Sequence, residues 1–185
     1  MKQRRKEYRR PVDYVPKNYS PVDLAYMAGI IDGEGCFWIG IISKITGDGY
    51  QSTHYRGVLK ISNTDKRLLD WLLSTFEGTQ SAQMKYQPKG KFERMVYEWV
   101  ATGDRLLDLC ELLLPYLILK KEHCEIMIKF RKSYRRLGGS TKIAPEDLAT
   151  RQECLMAIRQ LNSRFHMHPF KKHNHIDPSA LLPVS

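Results

Sequence analysis

Apolar residues recur along the chain at two different spacings, which separate predicted helices from predicted strands. Leu69, Leu72, Leu73 and Phe76 follow the spacing of one helix face. This spacing, with local start and stop signals, predicts helices at residues 21–31, 65–77, 104–114, 121–137 and 145–162. Runs rich in β-branched and aromatic residues predict strands at residues 36–43, 54–62, 79–87 and 92–101. This order is typical of an α+β domain with a four-stranded, largely antiparallel sheet and additional C-terminal helices.

The two ends of the chain lack this patterning. Residues 1–19 are rich in charge and carry Pro11 and Pro16, and residues 164–185 are polar with several histidines. We therefore expect a basic arm at 1–19, one domain at 20–163 and a basic tail at 164–185. The stretch FHMHPFKKHNH in the tail has two interpretations, a metal-binding tract or a flexible segment that contacts backbone phosphate, and the composition favours the second.

The net charge of the chain indicates the class of its binding partner. The 185 residues include 30 Lys and Arg against 20 Asp and Glu, a net charge of +10. Such a balance favours a polyanionic partner, nucleic acid above all, over a merely solvated basic surface. No apolar run reaches the roughly 18 residues of a membrane span, and we expect no membrane partner. The four scattered cysteines form no CxxC pair, which is typical of reduced thiols in an intracellular protein.

The sequence MAGIIDGEG, residues 27–35, ends the first predicted helix with small residues on one face. Gly29 and Gly33 lie four residues apart, and Ala25 shares their face. A face without bulky side chains allows the backbone of another helix to approach closely. Ordinary packing within one chain is the alternative interpretation.

The same stretch carries two acids where a helix end is already negative. Asp32 and Glu34 lie at the C-terminal end of the helix dipole, which disfavours carboxylates. A lysine, an arginine or a divalent metal would compensate for this charge. A metal held by few protein ligands and several waters is typical of phosphate-ester chemistry, whereas a solvated helix end needs no such partner.

MAGIIDGEG closely resembles the LAGLIDADG motif of the homing endonuclease family. The match runs through Ala28, Gly29, Asp32 and Gly35, and Glu34 stands for the last Asp of the motif. The predicted elements of roughly residues 20–137 also match the αββαββα core of that family. The resemblance implies a site-specific endonuclease that cleaves both strands of a long, pseudo-palindromic DNA target by metal-dependent hydrolysis. A single motif implies a homodimer, whose interface would include Ala25, Gly29, Asp32 and Gly33.

The resemblance also implies an active site and its cofactor. Glu34 would bind Mg²⁺, with a carbonyl oxygen offered by Gly33. Mn²⁺ is expected to substitute for Mg²⁺, and Ca²⁺ to bind without supporting cleavage. Lys120, within PYLILKK, would lie near the scissile phosphate, and Lys121 is the alternative if the alignment shifts by one residue.

The segment ISNTDKRLLDWL, residues 61–72, resembles the strand-to-helix junction that supplies further polar groups in this family. Asn63 would orient a water, although a helix-capping role ahead of Asp65 is an equal alternative. Arg67, or its neighbour Lys66, would complete a basic pocket. We therefore predict Glu34, Lys120, Asn63 and Arg67 as catalytic residues.

The sheet is expected to contact the bases of the DNA. Strand alternation predicts that one face presents Trp38, Lys44, His54, Arg56, Lys60, Ser62, Ser81, Gln83 and Lys85. Arg56 suits guanine and Gln83 suits adenine by bidentate hydrogen bonding. Parity is ambiguous in 92–101, where Tyr97 and Trp99 are interpreted as core.

Other functions on the same fold stay open at this point. An intron-RNA maturase would use RNA as its partner, and a non-cleaving DNA-binding regulator would normally lose the acid that Glu34 represents. A ribosome-associated structural protein would explain only the charge. We expect an intracellular location, either an organelle or a bacterial or phage-infected cytoplasm.

Overall fold

The computed structural model describes residues 18–45, 51–76, 82–86, 94–134 and 144–164. The helices are α1 (Pro21–Glu34), α2 (Lys66–Phe76), α3 (Gly103–Leu113), α4 (Lys121–Lys132) and α5 (Pro145–Arg164). The strands are β1 (Gly35–Ile45), β2 (Gln51–Asn63), β3 (Ala82–Tyr86) and β4 (Arg94–Thr102). Nearly all of the predicted arm and tail lies outside these ranges, so their roles stay predictions.

The strands form one antiparallel sheet in the order β1-β2-β4-β3. β1 pairs with β2 along its whole length, from Gly35 opposite Ile61 to Ile45 opposite Gln51. β4 then pairs with the second half of β2. The predicted α+β architecture is confirmed, and the described side chains of β1, β2 and β4 alternate as a sheet with one covered face requires.

One face of the sheet forms the core with the helices. Its inward rows include Phe37, Ile39, Leu59, Ile61, Trp99 and Ala101, none more than 1% exposed. Gly57 belongs to the same face, and a β-carbon there would lie 2.6 Å from Phe130 Cε1 of α4. The missing side chain therefore lets α4 approach β2 closely. None of the described helices is long and apolar enough to cross a membrane.

The start of α1 follows the local signal in the sequence. Ser20 Oγ accepts a hydrogen bond from Asp23 N at 3.1 Å and donates one to Asp23 Oδ2 at 2.6 Å. Pro21 occupies the first turn, where its missing N–H costs nothing. The cap fixes where the helix begins, and hence where its other end delivers Asp32 and Glu34.

The predicted extent of α4 is wrong, because the helix ends at Lys132 and not at 137. Ser133 Oγ donates to Phe130 O at 2.7 Å, and Arg151 Nη2 of α5 donates to Ser133 O at 3.0 Å. Tyr134 Oη donates to Tyr55 O of β2 at 2.5 Å. These tertiary contacts hold Ser133 and Tyr134 outside the helix despite the helical spacing of the sequence.

Candidate active site and nucleic-acid interface

Asp32 joins the end of α1 to the segment that precedes α4. Its carboxylate accepts three backbone hydrogen bonds, from Ile118 N at 2.9 Å, Leu119 N at 3.2 Å and Lys120 N at 2.9 Å. The adjacent N-terminus of α4 adds a favourable dipole. Backbone donors therefore compensate the Asp32 charge, where the sequence had suggested a basic side chain or a metal.

This anchor positions Lys120 at the end of the motif. The Lys120 ammonium donates a hydrogen bond to the Gly35 carbonyl oxygen, directly after Glu34. Burial lowers the pKa of Lys120 from its usual range, whereas Cys36, Asp32 and Glu34 nearby oppose the shift. Lys121, the alternative candidate, is exposed at the start of α4. The Lys120 ammonium therefore lies at the junction that follows Glu34, and the catalytic roles of both residues stay predictions.

The end of α1 offers oxygen ligands that fit a hard divalent cation. Glu34 is exposed, and Gly33 lies in the last turn, where carbonyl oxygens lack partners within the helix. No three His, Cys, Asp or Glu side chains converge on a possible metal site within the described ranges. Glu34 and the Gly33 carbonyl could therefore hold a cation only with waters or phosphate oxygens as further ligands, which Mg²⁺ accepts readily.

Replacing Asp32 by alanine should destabilise the fold. Three backbone donors would lose a charged acceptor, so we expect the free energy of unfolding to fall by about 1 to 3 kcal/mol. Denaturant titration would measure the loss. Asp70→Ala is the matched control, because Asp70 forms only an exposed ion pair with Lys66 on α2, worth less than about 0.5 kcal/mol. Equal stability of the two variants would contradict the anchoring role of Asp32.

Asn63 and Arg67 have local contacts at the start of α2. Asn63 Oδ1 accepts a hydrogen bond from Asp65 N at 2.8 Å, in agreement with the capping alternative. Arg67 Nε lies 3.0 Å from Asp65 Oδ1, and this pairing lowers the pKa of Asp65 to about 2. Asn63 lies two residues beyond Ile61, which pairs with Gly35, so it is at the same end of the sheet as Glu34. Its catalytic role, and that of Arg67, stay predictions.

One side of α1 is apolar and exposed. Val22 and Tyr26 are 77% and 57% exposed, and Ala25, Gly29 and Gly33 lie exposed on the same helix. A β-carbon at either Gly29 or Gly33 would meet nothing within 4 Å. Ordinary packing within the chain therefore does not explain these two glycines in the described structure.

A second exposed apolar group lies next to this helix. Ile118 and Leu119 are 83% and 68% exposed, and their backbone N–H groups bind Asp32. The Asp32 contacts therefore join these two side chains to the α1 side in one surface. The Asp32 carboxylate is bonded within its own chain, and a role for it at a dimer interface stays a prediction.

The outer face of the sheet carries most of the predicted DNA-binding residues. Alternation and register place Trp38, His54, Arg56, Lys60 and Ser62 on the side opposite Phe37 and Leu59. Lys44 has the same parity in β1. Lys60 Nζ lies 3.0 Å from Glu98 Oε1, and Ser62 Oγ donates to the same oxygen at 3.4 Å. Glu98 therefore belongs to this face, and a carboxylate there could accept a hydrogen bond from cytosine.

β3 differs from the predicted parity. Gln83 and Lys85 pair with Tyr97 and Met95, whereas Glu98 pairs with Ala82. The Gln83 and Lys85 positions thus belong to the same face of the sheet as Tyr97, which packs against the core, and not to the face of Ser62. The register of a hairpin depends on its turn, which alternation alone does not specify. Ser81 lies outside the described residues, and DNA binding by these three residues stays a prediction.

Sequence reasoning missed groups that act through the backbone or through proximity. The Gly35 carbonyl and the backbone N–H groups of 118–120 carry no side-chain signal. The contact of Glu98 with Lys60 on the outer face depends on the β2–β4 register. Only the pairing of distant segments reveals these groups.

Solved structures of homing endonucleases share this fold. The chain is similar to I-CvuI in complex with its target in the presence of 2 mM Ca, with TM-score 0.57 and 19% identity over 76% of this chain and 82% of that chain. The archaeal intron-encoded homing endonuclease I-Vdi141I complexed with DNA gives TM-score 0.58 and 16% identity, over 83% and 89%. I-TnaI, also a homing endonuclease, gives 0.53 and 16%, over 77% and 97%. No protein-family model and no curated protein matches the chain.

The chain therefore has the fold of homing endonucleases. The resemblance predicted from MAGIIDGEG is confirmed at the level of the fold. That motif forms the second half of α1 and its junction with β1, where Lys120 is bonded to Asp32 through its backbone N–H and to the Gly35 carbonyl through its ammonium.

Proposed function

We propose that this protein is a site-specific DNA endonuclease, which acts as a homodimer and cleaves both strands of a long, pseudo-palindromic target. The observation that carries the proposal is the junction of α1 and β1, where Asp32 anchors Lys120 beside Glu34 on a homing-endonuclease fold. Two of the fold neighbours, I-CvuI and I-Vdi141I, were solved with DNA. The excess of 10 positive charges supports the same partner.

The chain supplies charge and proton-holding groups at this junction. The Lys120 ammonium is held by the Gly35 carbonyl and by its own backbone bond to Asp32, so its position costs little reorganisation when a phosphate arrives. Its positive charge would stabilise the negative charge that grows on the scissile phosphate. Because burial lowers the pKa of Lys120, this ammonium gives up a proton more readily than an exposed lysine.

Glu34 and Gly33 would hold a divalent cation, Mg²⁺ or Mn²⁺. When bound, such a cation supplies charge neutralisation at the phosphate and a water of lowered pKa. Glu34 holds the negative charge that keeps the cation at this position, and it is exposed to an approaching phosphate. Asn63 and Arg67 stay candidates for orienting water and binding the backbone at the same end of the sheet.

The outer face of the sheet would read the bases. β1 has 11 residues, which span roughly 36 Å at about 3.3 Å per residue. One turn of DNA measures about 34 Å. A single sheet thus covers about one turn, and two copies cover about two turns. This length supports a long, pseudo-palindromic site.

The apolar side of α1 supports the homodimer. Gly29 and Gly33 leave open space that no described residue fills, and the exposed apolar side chains of α1 and of the segment bound to Asp32 are Val22, Tyr26, Ile118 and Leu119. A two-fold axis along α1 would bring the two helix ends, and hence both copies of Glu34, to the centre of the target.

Gly29→Leu should separate the two copies without unfolding the chain. A β-carbon at Gly29 would meet no described atom within 4 Å, and leucine favours a helix over glycine by roughly 0.5 to 1 kcal/mol. We expect the monomer to be at least as stable, while sedimentation velocity shows loss of the dimer. Ala149→Leu on the exposed side of α5 is the matched control and should leave the dimer intact. A stable wild-type monomer on DNA would contradict the homodimer.

The experiment that tests the proposed activity is cleavage of a randomised duplex library in the presence of Mg²⁺, with sequencing of cut and surviving molecules. We expect cut ends that define one pseudo-palindromic sequence. Binding without any cutting would favour a DNA-binding regulator, and binding of intron RNA without duplex cutting would favour a maturase.

A further inference from the structure

Gly40 is buried although it lies on the outer face of the sheet. Its neighbours in β1, Ile39 and Ile41, point to the core side, so Gly40 itself faces away from the helices. The group that covers Gly40 is the indole of Trp38, two residues earlier on the same face. The six-membered ring of Trp38 occupies the space into which a β-carbon on Gly40 would project.

The Trp38 ring therefore lies along the strand instead of standing away from it. Such packing of an aromatic ring over a strand glycine stabilises a position that glycine alone would weaken. The ring remains 43% exposed, so part of the indole is available on the outer face. An arginine or lysine at position 38 would present hydrogen-bond donors, whereas the exposed part of the Trp38 indole is mainly apolar.

The ring belongs to a row of residues without charge that crosses three strands. Trp38 pairs with Val58, and Val58 pairs with Thr102 of β4. The neighbouring rows contain Arg56, opposite Gly40, and Lys60, opposite Cys36. The apolar ring is thus flanked by Arg56 on one side and by the Lys60–Glu98 ion pair on the other, polar groups that can bind phosphates or bases beside it.

We propose that Trp38, whose ring packs over Gly40, recognises the C5 methyl group of pyrimidines in the major groove. The thymine methyl is the main apolar group on that edge of the base pairs, and 5-methylcytosine carries the same methyl. The inference rests on the proposed function and goes beyond it, because it names a base feature that the protein recognises. Trp38 lies three residues from Gly35, roughly 10 Å along β1, so the thymine lies about three base pairs from the site of cleavage.

The test begins with selection of bound duplexes from a randomised library, with Ca²⁺ present and no cleavage required. The selected site is then remade with deoxyuridine or with 5-methylcytosine in place of each thymine, one position at a time. Deoxyuridine lacks only the methyl group, and we expect about fourfold weaker binding at the position read by Trp38. That factor corresponds to roughly 0.8 kcal/mol for one buried methylene-sized group. At that position, replacement of thymine by 5-methylcytosine should weaken binding less than replacement by unmethylated cytosine.

Substitutions at Trp38 and at Gly40 test separately the ring and the glycine over which it packs. Trp38→Gln should abolish the difference between thymine and deoxyuridine, and Trp38→Phe should restore part of it. Gly40→Ala keeps the tryptophan but displaces its ring, so we expect the same loss of discrimination. The double variant should lose no more than either single variant, because both act on one contact. Cys36→Ser, on the same strand and face, should keep the discrimination.

The outcomes distinguish the inference from the proposed function. Selection of a defined site without any thymine-to-deoxyuridine effect within five base pairs of its centre overturns the reading by Trp38 and leaves the endonuclease proposal intact. A deoxyuridine effect that persists in Trp38→Gln also overturns it. If the wild-type protein selects no duplex sequence, both proposals fail. Circular dichroism of each variant verifies that the fold is retained, and Trp38→Phe supplies the comparison if Gly40→Ala is unfolded.

Discussion

Glu34→Gln is expected to reduce DNA cleavage by at least about 10²- to 10³-fold, the usual cost of removing a group that stabilises charge in a transition state. The substitution keeps the size of the side chain but removes the charge that would hold a cation beside Lys120. Base contacts are proposed to come from the outer face of the sheet, so specific binding should survive. Loss of a negative charge near phosphates is expected to tighten it slightly.

The measurement pairs a nicking and linearisation assay with a binding titration on the same DNA. Glu122→Gln is the matched control, since Glu122 is an exposed acid of the first turn of α4, two residues after Lys120. It should cut at the wild-type rate. Ca²⁺ should reproduce the Glu34→Gln behaviour in the wild-type protein, with binding but little cleavage. A Glu34→Gln protein that cuts normally would remove this acid from the mechanism.

Affinity for DNA should fall by about 10³ to 10⁵ between 50 and 200 mM salt, if roughly six to ten phosphates are neutralised. The net charge of +10 per chain makes such a number of contacts reasonable. Titrations over a series of salt concentrations would give the slope of log affinity against log salt. A flat profile would show that the basic surface is not where DNA binds.

Two lysine variants test which face of the protein contacts the DNA phosphates. Lys60→Gln, on the outer face, should lower the slope by about one if Lys60 contacts a phosphate. Lys129→Gln should leave the slope unchanged, because Lys129 lies on α4 and pairs with Glu153 of α5 on the helix side. An equal effect of the two substitutions would argue against binding through the sheet.

Local signals in the sequence determined the elements and the motif. Ser20, Pro21 and Asp23 define the start of α1 within four residues, and the contacts of the cap confirm it. Alternation in 54–62 and helical spacing in 65–77 predicted β2 and α2 to within a few residues. Glu34 and Lys120 were both predicted as site residues, through a family resemblance and not through spacing, and their catalytic roles stay predictions. Such signals work because caps, turns and periodic faces involve neighbours in the chain.

Only the tertiary structure decided how the distant segments meet. The partners of Asp32 lie 86 to 88 residues away, and they are backbone N–H groups, which the sequence cannot indicate because they do not depend on the residue type. The end of α4 depends on Arg151 from another helix, and the row of Gln83 depends on a hairpin register. The ring of Trp38 over Gly40 required the side-chain conformation as well as the strand. Composition and periodicity determined which elements exist, whereas packing between elements determined which atoms face each other, because those contacts join residues that are remote in sequence.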